Sequence, residues 1–223
     1  MKLTHPDLQF QIEFTETSIP VCAIESPARW RDIQKEFCSQ HQGGDGKWVL
    51  SDKNTEIKIN KSVELILNPI QLEENQRKIL NAFLQSLDQT AVNEEYWKRG
   101  QELNTHIQKF FSDLEMEYPF EYHINPEIEF STLAKAMGIK IESEYESDLE
   151  RLIQYCILTQ DIMNTKLFIF FHLHTYFTEK ELELFYQEVM MRKWHILLIE
   201  PYIGKRISCE KYYIIDKDNC EIY

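Results

Sequence analysis

Between residues 133 and 200, two stretches of helical periodicity each run into a continuous apolar block, Leu167-Phe168-Ile169-Phe170-Phe171 and Ile196-Leu197-Leu198-Ile199. A strand that is apolar at every position is buried on both faces. Alternation of such strands with helices predicts a parallel sheet covered on both sides, an α/β fold. Shorter strands are predicted at residues 9–14, 19–24, 47–50, 56–59 and 139–142. The end of the chain, Lys211 to Tyr223, reads as two short strands around the Asp218-Asn219 turn.

The pattern changes in the middle. From Glu73 to Met116 there is no proline and no glycine except Gly100; apolar residues fall at Ile79, Leu80, Phe83, Leu84 and Leu87, then at Leu103, Ile107, Phe110, Phe111 and Leu114. This is helical spacing. It predicts two helices of about five turns each, breaking near residues 91–93 or at Gly100 and paired as an antiparallel hairpin. The expected organisation is an α/β head formed by residues 1–70 plus 131–223, with residues 71–130 inserted as an α-helical leg.

With 43% apolar and 13% aromatic residues, the 223-residue chain can bury a substantial core. The five cysteines include no CxxC pair, which fits a reducing cytoplasm. No apolar run reaches the length of a membrane span, so a membrane partner is not expected. The net charge of −13 argues against nucleic acid, yet it is unevenly spread: residues 71–130 carry 5 basic and 12 acidic side chains, −7 of that −13.

Parallel α/β sheets usually bind ligands at the carboxyl ends of their strands. The segment after the strand at 19–24 is Glu25-Ser26-Pro27-Ala28-Arg29, a helix start with Ser26 as N-cap and Pro27 as first residue. It has no glycine and no Lys-Ser/Thr pair to wrap phosphates. The cluster Gly43-Gly44-Asp45-Gly46-Lys47 has the wrong spacing for a phosphate loop and reads as a flexible turn. There is no GxSxG elbow and no cysteine with an evident histidine partner. His172 and His174, two apart near the end of the Leu167 strand, would face the same side, with Glu200 as a neighbour on the next strand. They could serve a divergent metal- or nucleotide-dependent enzyme; the preferred reading is two polar residues at a sheet rim. The carboxylates Asp113, Glu115, Glu117, Glu121, Glu127 and Glu129 fall where the hairpin rejoins the head. They would suit a hard cation such as Ca²⁺ if they converged, and a solvated acidic face if they did not.

The succession Leu133-Ala134-Lys135-Ala136-Met137-Gly138-Ile139-Lys140-Ile141-Glu142, Leu167 to Phe171, Tyr176-Phe177-Thr178-Glu179-Lys180-Glu181-Leu182, Leu197-Leu198-Ile199-Glu200-Pro201 and Tyr213-Ile214-Ile215-Asp216 resembles the Csn-two family of type II-A CRISPR systems. That resemblance implies a P-loop-kinase-like parallel-sheet head lacking a functional phosphate loop, with an inserted α-helical leg. It implies a non-catalytic protein that forms a homotetrameric ring and binds linear double-stranded DNA ends without reading sequence. It further implies Ca²⁺ held by acidic residues at the head–leg junction, here Glu115, Glu117, Glu121, Glu127 and Glu129. The implied role is acquisition of new spacers alongside the CRISPR integrase subunits and the RNA-guided nuclease. Lys135 and Lys140 match basic positions of the family motif, Lys53 and Lys58 fall in a region aligned with basic family residues, and Arg29 and Arg31 are carried by their place at the head helix. These six are the expected DNA-binding residues. The prolines and His123 among the carboxylates depart from the family pattern, as do His172 and His174.

Overall fold

The computed structural model describes residues 1–53 and 55–223. They divide into two compact units, one made of Met1–Glu73 with Glu144–Tyr223, the other of Glu74–Ser143 inserted between those segments in the sequence. Residues 131–143, expected with the head, group instead with the helical unit.

The first unit begins with strands β1 (Lys2–Thr4), β2 (Ile12–Glu13) and β3 (Ile19–Ile24), helix α1 (Pro27–His41), strands β4 (Val49–Asp52) and β5 (Thr55–Ile57), the short helix α2 (Ile59–Ser62) and strand β6 (Val63–Ile66). The inserted unit follows with α3 (Arg77–Ala91), α4 (Trp97–Glu115) and α5 (Phe130–Ala136). The first unit then resumes with α6 (Asp148–Met163), β7 (Leu167–Phe171), α7 (Leu173–Tyr176), α8 (Glu179–Arg192), β8 (Ile196–Glu200), β9 (Glu210–Ile215) and β10 (Glu221–Ile222).

The main sheet has the order β10-β9-β3-β8-β7-β6. Its five strands from β9 to β6 run parallel, and β10 closes the edge antiparallel to β9. β3, β7 and β8 are buried at every position, which is why their sequences are apolar throughout. One face packs under α1 and the small antiparallel sheet β2-β1-β4-β5, through Phe14, Ile33, Phe37, Trp48, Leu50, Ile169, Phe171, Leu197 and Ile199. On the other face Phe170 meets Phe185 of α8 edge-on, and Phe168 packs on Trp194.

Local signals set the helix ends. Thr178 and Glu181 form a reciprocal capping box at α8, and Ser147 caps α6 through the Glu150 amide. The Gly43-Gly44 pair terminates α1: Gly43, at φ +86°, donates to the Gln40 carbonyl and Gly44 to that of Ser39, a left-handed helix exit that leaves no phosphate cradle. The strand expected at Ile139–Glu142 is absent for a related reason. Gly138 adopts φ +71° and donates to Lys135, while Ile139 donates to Ala134, so the segment is the C-terminal cap of α5. Past it, the Asn75 side chain bonds both the amide and the carbonyl of Ile141, supplying what a neighbouring strand would have.

In the inserted unit the hairpin breaks at Asn93, whose side chain accepts from the amides of Glu95 and Tyr96; Gly100 continues α4 instead of breaking it. Ile79 and Leu84 of α3 and Ala134 of α5 are buried, whereas no residue of α4 is. Trp97, Leu103, Phe110, Phe111 and Leu114 along it are exposed. Among the described residues no helix is long and apolar enough to cross a membrane, and all five cysteines are free.

Candidate nucleic-acid interface

The six expected DNA-binding residues fall in separate places. Lys53 sits in the β4–β5 turn with φ +46°, and Lys58 is the exposed residue that opens α2. Arg29 and Arg31 lie in the first turns of α1, a helix about 22 Å long. α2 adjoins the other end of that helix, where Asn60 approaches Gly43. Lys135 is exposed in the last turn of α5 and Lys140 in the loop beyond it, both in the inserted unit. None of these six makes an ion pair among the described residues. Lys2, Lys47, Lys193, Lys205 and Arg192, by contrast, are all engaged with carboxylates. An uncompensated surface cation keeps its full field for a phosphate.

The carboxylates do not converge. Glu115 accepts from the Tyr122 amide at 3.0 Å and Glu129 from the Thr132 hydroxyl at 3.1 Å, while Glu117, Glu121 and Glu127 project into solvent from the loop after α4. Among the described residues no three His, Cys, Asp or Glu side chains come together as metal ligands. Calcium takes six to eight oxygens, and the described residues of one chain gather no such set of carboxylates.

His172 and His174 do not share a strand face. β7 ends at Phe171, His172 turns left-handed at φ +59° with its ring 4.6 Å from Trp30, and His174 falls within α7. The turn separates the two rings. His174 enters a buried polar cluster that contains Glu200, the neighbour expected from the sequence, together with Tyr186, Glu210 and Tyr212, which the sequence did not single out. Its amide donates to Glu200 at 3.0 Å and its Nε2 to Glu210 at 2.7 Å. Glu210 also accepts from the hydroxyls of Tyr186 at 2.7 Å and Tyr212 at 3.0 Å, and from the Ile207 amide at 2.9 Å. Burial works against the charge on Glu210, but these donors outweigh it and hold its pKa below the usual carboxylate value. Burial likewise opposes the His174 imidazolium, and the Glu210 hydrogen bond with the nearby negative charges raises its pKa nonetheless. Glu200 is 2% exposed, and burial pushes it up to about 7 despite the donors around it. The cluster ties α7, α8, β8 and β9 together. The signal for Glu210 and Tyr212 is alternation along β9, which puts them on the same face.

The raised Glu200 pKa has a sign. Folding stability from this group is complete below the unfolded value of about 4.5 and is lost as pH rises through about 7, in total about 3 kcal/mol. Glu200→Gln keeps an acceptor for the His174 amide and removes the titration. Urea unfolding should therefore show the variant gaining on wild type between pH 4.5 and 7, with a constant difference above that; a difference independent of pH would refute it.

A search of curated proteins returns no match. Among solved structures, the chain is similar to an ABC transporter ATP-binding protein from Pyrococcus furiosus, at 8% identity over 95% of this chain and 97% of the other, with a TM-score of 0.40. That likeness is too loose to carry function. The family model described as CRISPR-associated protein (Cas_Csn2) matches residues 40–219. The match spans the β4–β5 hairpin, the inserted helices and the β7–β8 core, so the chain belongs to the CRISPR-associated Csn2 family.

Proposed function

We propose that this protein is a non-catalytic DNA-end-binding component of CRISPR adaptation, acting with the integrase subunits and the RNA-guided nuclease. Its head is of P-loop-kinase type without a working phosphate loop, and the inserted helices are its leg. Four copies close into a ring whose lumen accepts the end of a linear duplex. Membership of the Csn2 family is the observation that carries this reading. Two physical features support it. The apolar side chains Trp97, Leu103, Phe110, Phe111 and Leu114 of α4 are exposed, as expected of a surface that another copy covers. The unpaired cations Lys53, Lys58, Lys135, Lys140, Arg29 and Arg31 can oppose phosphates despite the acidic total, because backbone contacts act within about a Debye length, ~8–10 Å. Ring symmetry repeats each of them four times. Glu115, Glu117, Glu121, Glu127 and Glu129, which gather no metal site among the described residues of one chain, would hold Ca²⁺ together with ligands from a neighbouring copy.

Binding of this kind touches phosphates and reads no bases. Replacing Lys135 and Lys140 together with glutamate should weaken duplex binding equally for unrelated sequences and flatten the plot of log affinity against log salt, by about 0.9 for each lost phosphate contact. Affinities from filter binding between 50 and 200 mM salt, on the scale where such contacts matter, check this. An unchanged slope would remove these lysines from the interface.

A further inference from the structure

The first unit contains a cavity whose lining combines aromatic rings with a cation unpaired among the described residues. This cavity of about 530 Å³ opens between the β1–β2 loop and β9, lined by Phe10, Gln11, Glu13, Lys211, Tyr213 and Tyr223 among others. Its volume is within the usual range for small-molecule sites, about 300–1,000 Å³. Tyr213 is 2% exposed, and its hydroxyl has no hydrogen-bond partner among the described residues. That hydroxyl is closed to water as well, so the Tyr213 ring forms part of the cavity wall while its hydroxyl lies behind it. Lys211, 5.1 Å from the Tyr213 ring, has no carboxylate within ion-pair distance among the described residues. The carboxylate in the lining, Glu13, is held by Lys2 at 3.1 Å. Phe10 packs on Tyr213 at 5.0 Å and on Tyr223 at 5.7 Å, and Tyr223 is largely exposed, so an aromatic wall has one free edge.

A purely apolar ligand would make no use of Lys211 and Gln11, and a bare inorganic anion would make no use of the rings. We propose that the cavity takes a nucleoside monophosphate group. Its base lies against the exposed Tyr223 ring at the edge of the aromatic wall, and its phosphate meets Lys211. The group is either a free mononucleotide or the frayed terminal nucleotide of a DNA strand; the second source rests on the DNA-binding reading above.

The full-length chain is titrated with 2-aminopurine deoxyribonucleoside monophosphate, and separately with linear duplexes carrying 2-aminopurine at the terminus or internally, following the fluorescence of each. A saturating change with the free nucleotide identifies the first source, and a change confined to the terminal label identifies the second. Tyr223→Ala should weaken the response about tenfold. Lys211→Glu should weaken it about tenfold, because the phosphate loses its cation. Silence of both probes, or a response that Tyr223→Ala and Lys211→Glu leave intact, overturns the proposal. If the duplex is retarded in a gel while both probes stay silent, the cavity assignment fails and DNA binding stands. If the free nucleotide binds and no duplex is retained, the cavity assignment stands and the DNA-binding reading fails.

Discussion

Replacing Glu210 with alanine should destabilise the protein by about 3–5 kcal/mol, among the largest effects of any single change in it. The Glu210 side chain is wholly buried and accepts from four donors, the His174 ring, the hydroxyls of Tyr186 and Tyr212, and the Ile207 amide. Alanine leaves these donors buried without their acceptor, and an imidazolium without its counter-charge. His174 would then hold its proton less tightly, because burial opposes the imidazolium and the strongest group favouring it is gone. At about 2–4 °C per kcal/mol for a protein of this size, the melting temperature should fall by on the order of 10 °C. Calorimetry measures it. A drop within a degree or two would show that the cluster is incidental to holding β9 and α8 against the sheet.

The second large effect concerns assembly. Phe110 and Phe111 of α4 are 59% and 45% exposed, and the 19-residue helix buries no residue fully. Helices owe most of their stability to packing of an apolar face, so one that packs so little within its own chain has that face available for another copy. A stable interface removes about 1,200–2,000 Å² from water, with aromatic anchors carrying most of the energy. Substituting glutamate at both positions should abolish the tetramer in sedimentation, while the folding stability of the single chain, which has little to lose at exposed sites, changes by no more than about 0.5 kcal/mol per position. Tetramers persisting in the double variant would place the contact elsewhere.

How far the fold was legible in the sequence follows from the range of the forces involved. β3, β7 and β8 announce themselves because burial on both faces demands an apolar residue at every position. The hairpin of α3 and α4 is visible from its period, and the β9–β10 turn from Asp218-Asn219. Ile139–Glu142 misled because apolar alternation there resembles a strand, whereas Gly138 and the Asn75 side chain satisfy its backbone locally. The division at residue 143 instead of 130 has the same origin: α5 buries Ala134 with the inserted helices. The histidine pair was misread because β7 stops at Phe171, and a strand's two-residue period does not survive the left-handed turn at His172. Glu210 lies 36 residues from His174, and nothing in the order of the sequence places β9 beside β3. Of the candidate interface, the six cations are readable as residues, but what would gather them is symmetry between chains.

The central claim is that the assembled protein holds DNA by its ends, and one comparison tests it most directly: a mobility shift on a linear duplex and on the covalently closed circle of the same sequence. A ring that threads an end predicts retention of the linear molecule and none of the circle, with retention of the circle restored after a single double-strand cut. Equal retention of both forms, or of neither at low salt, would contradict the account.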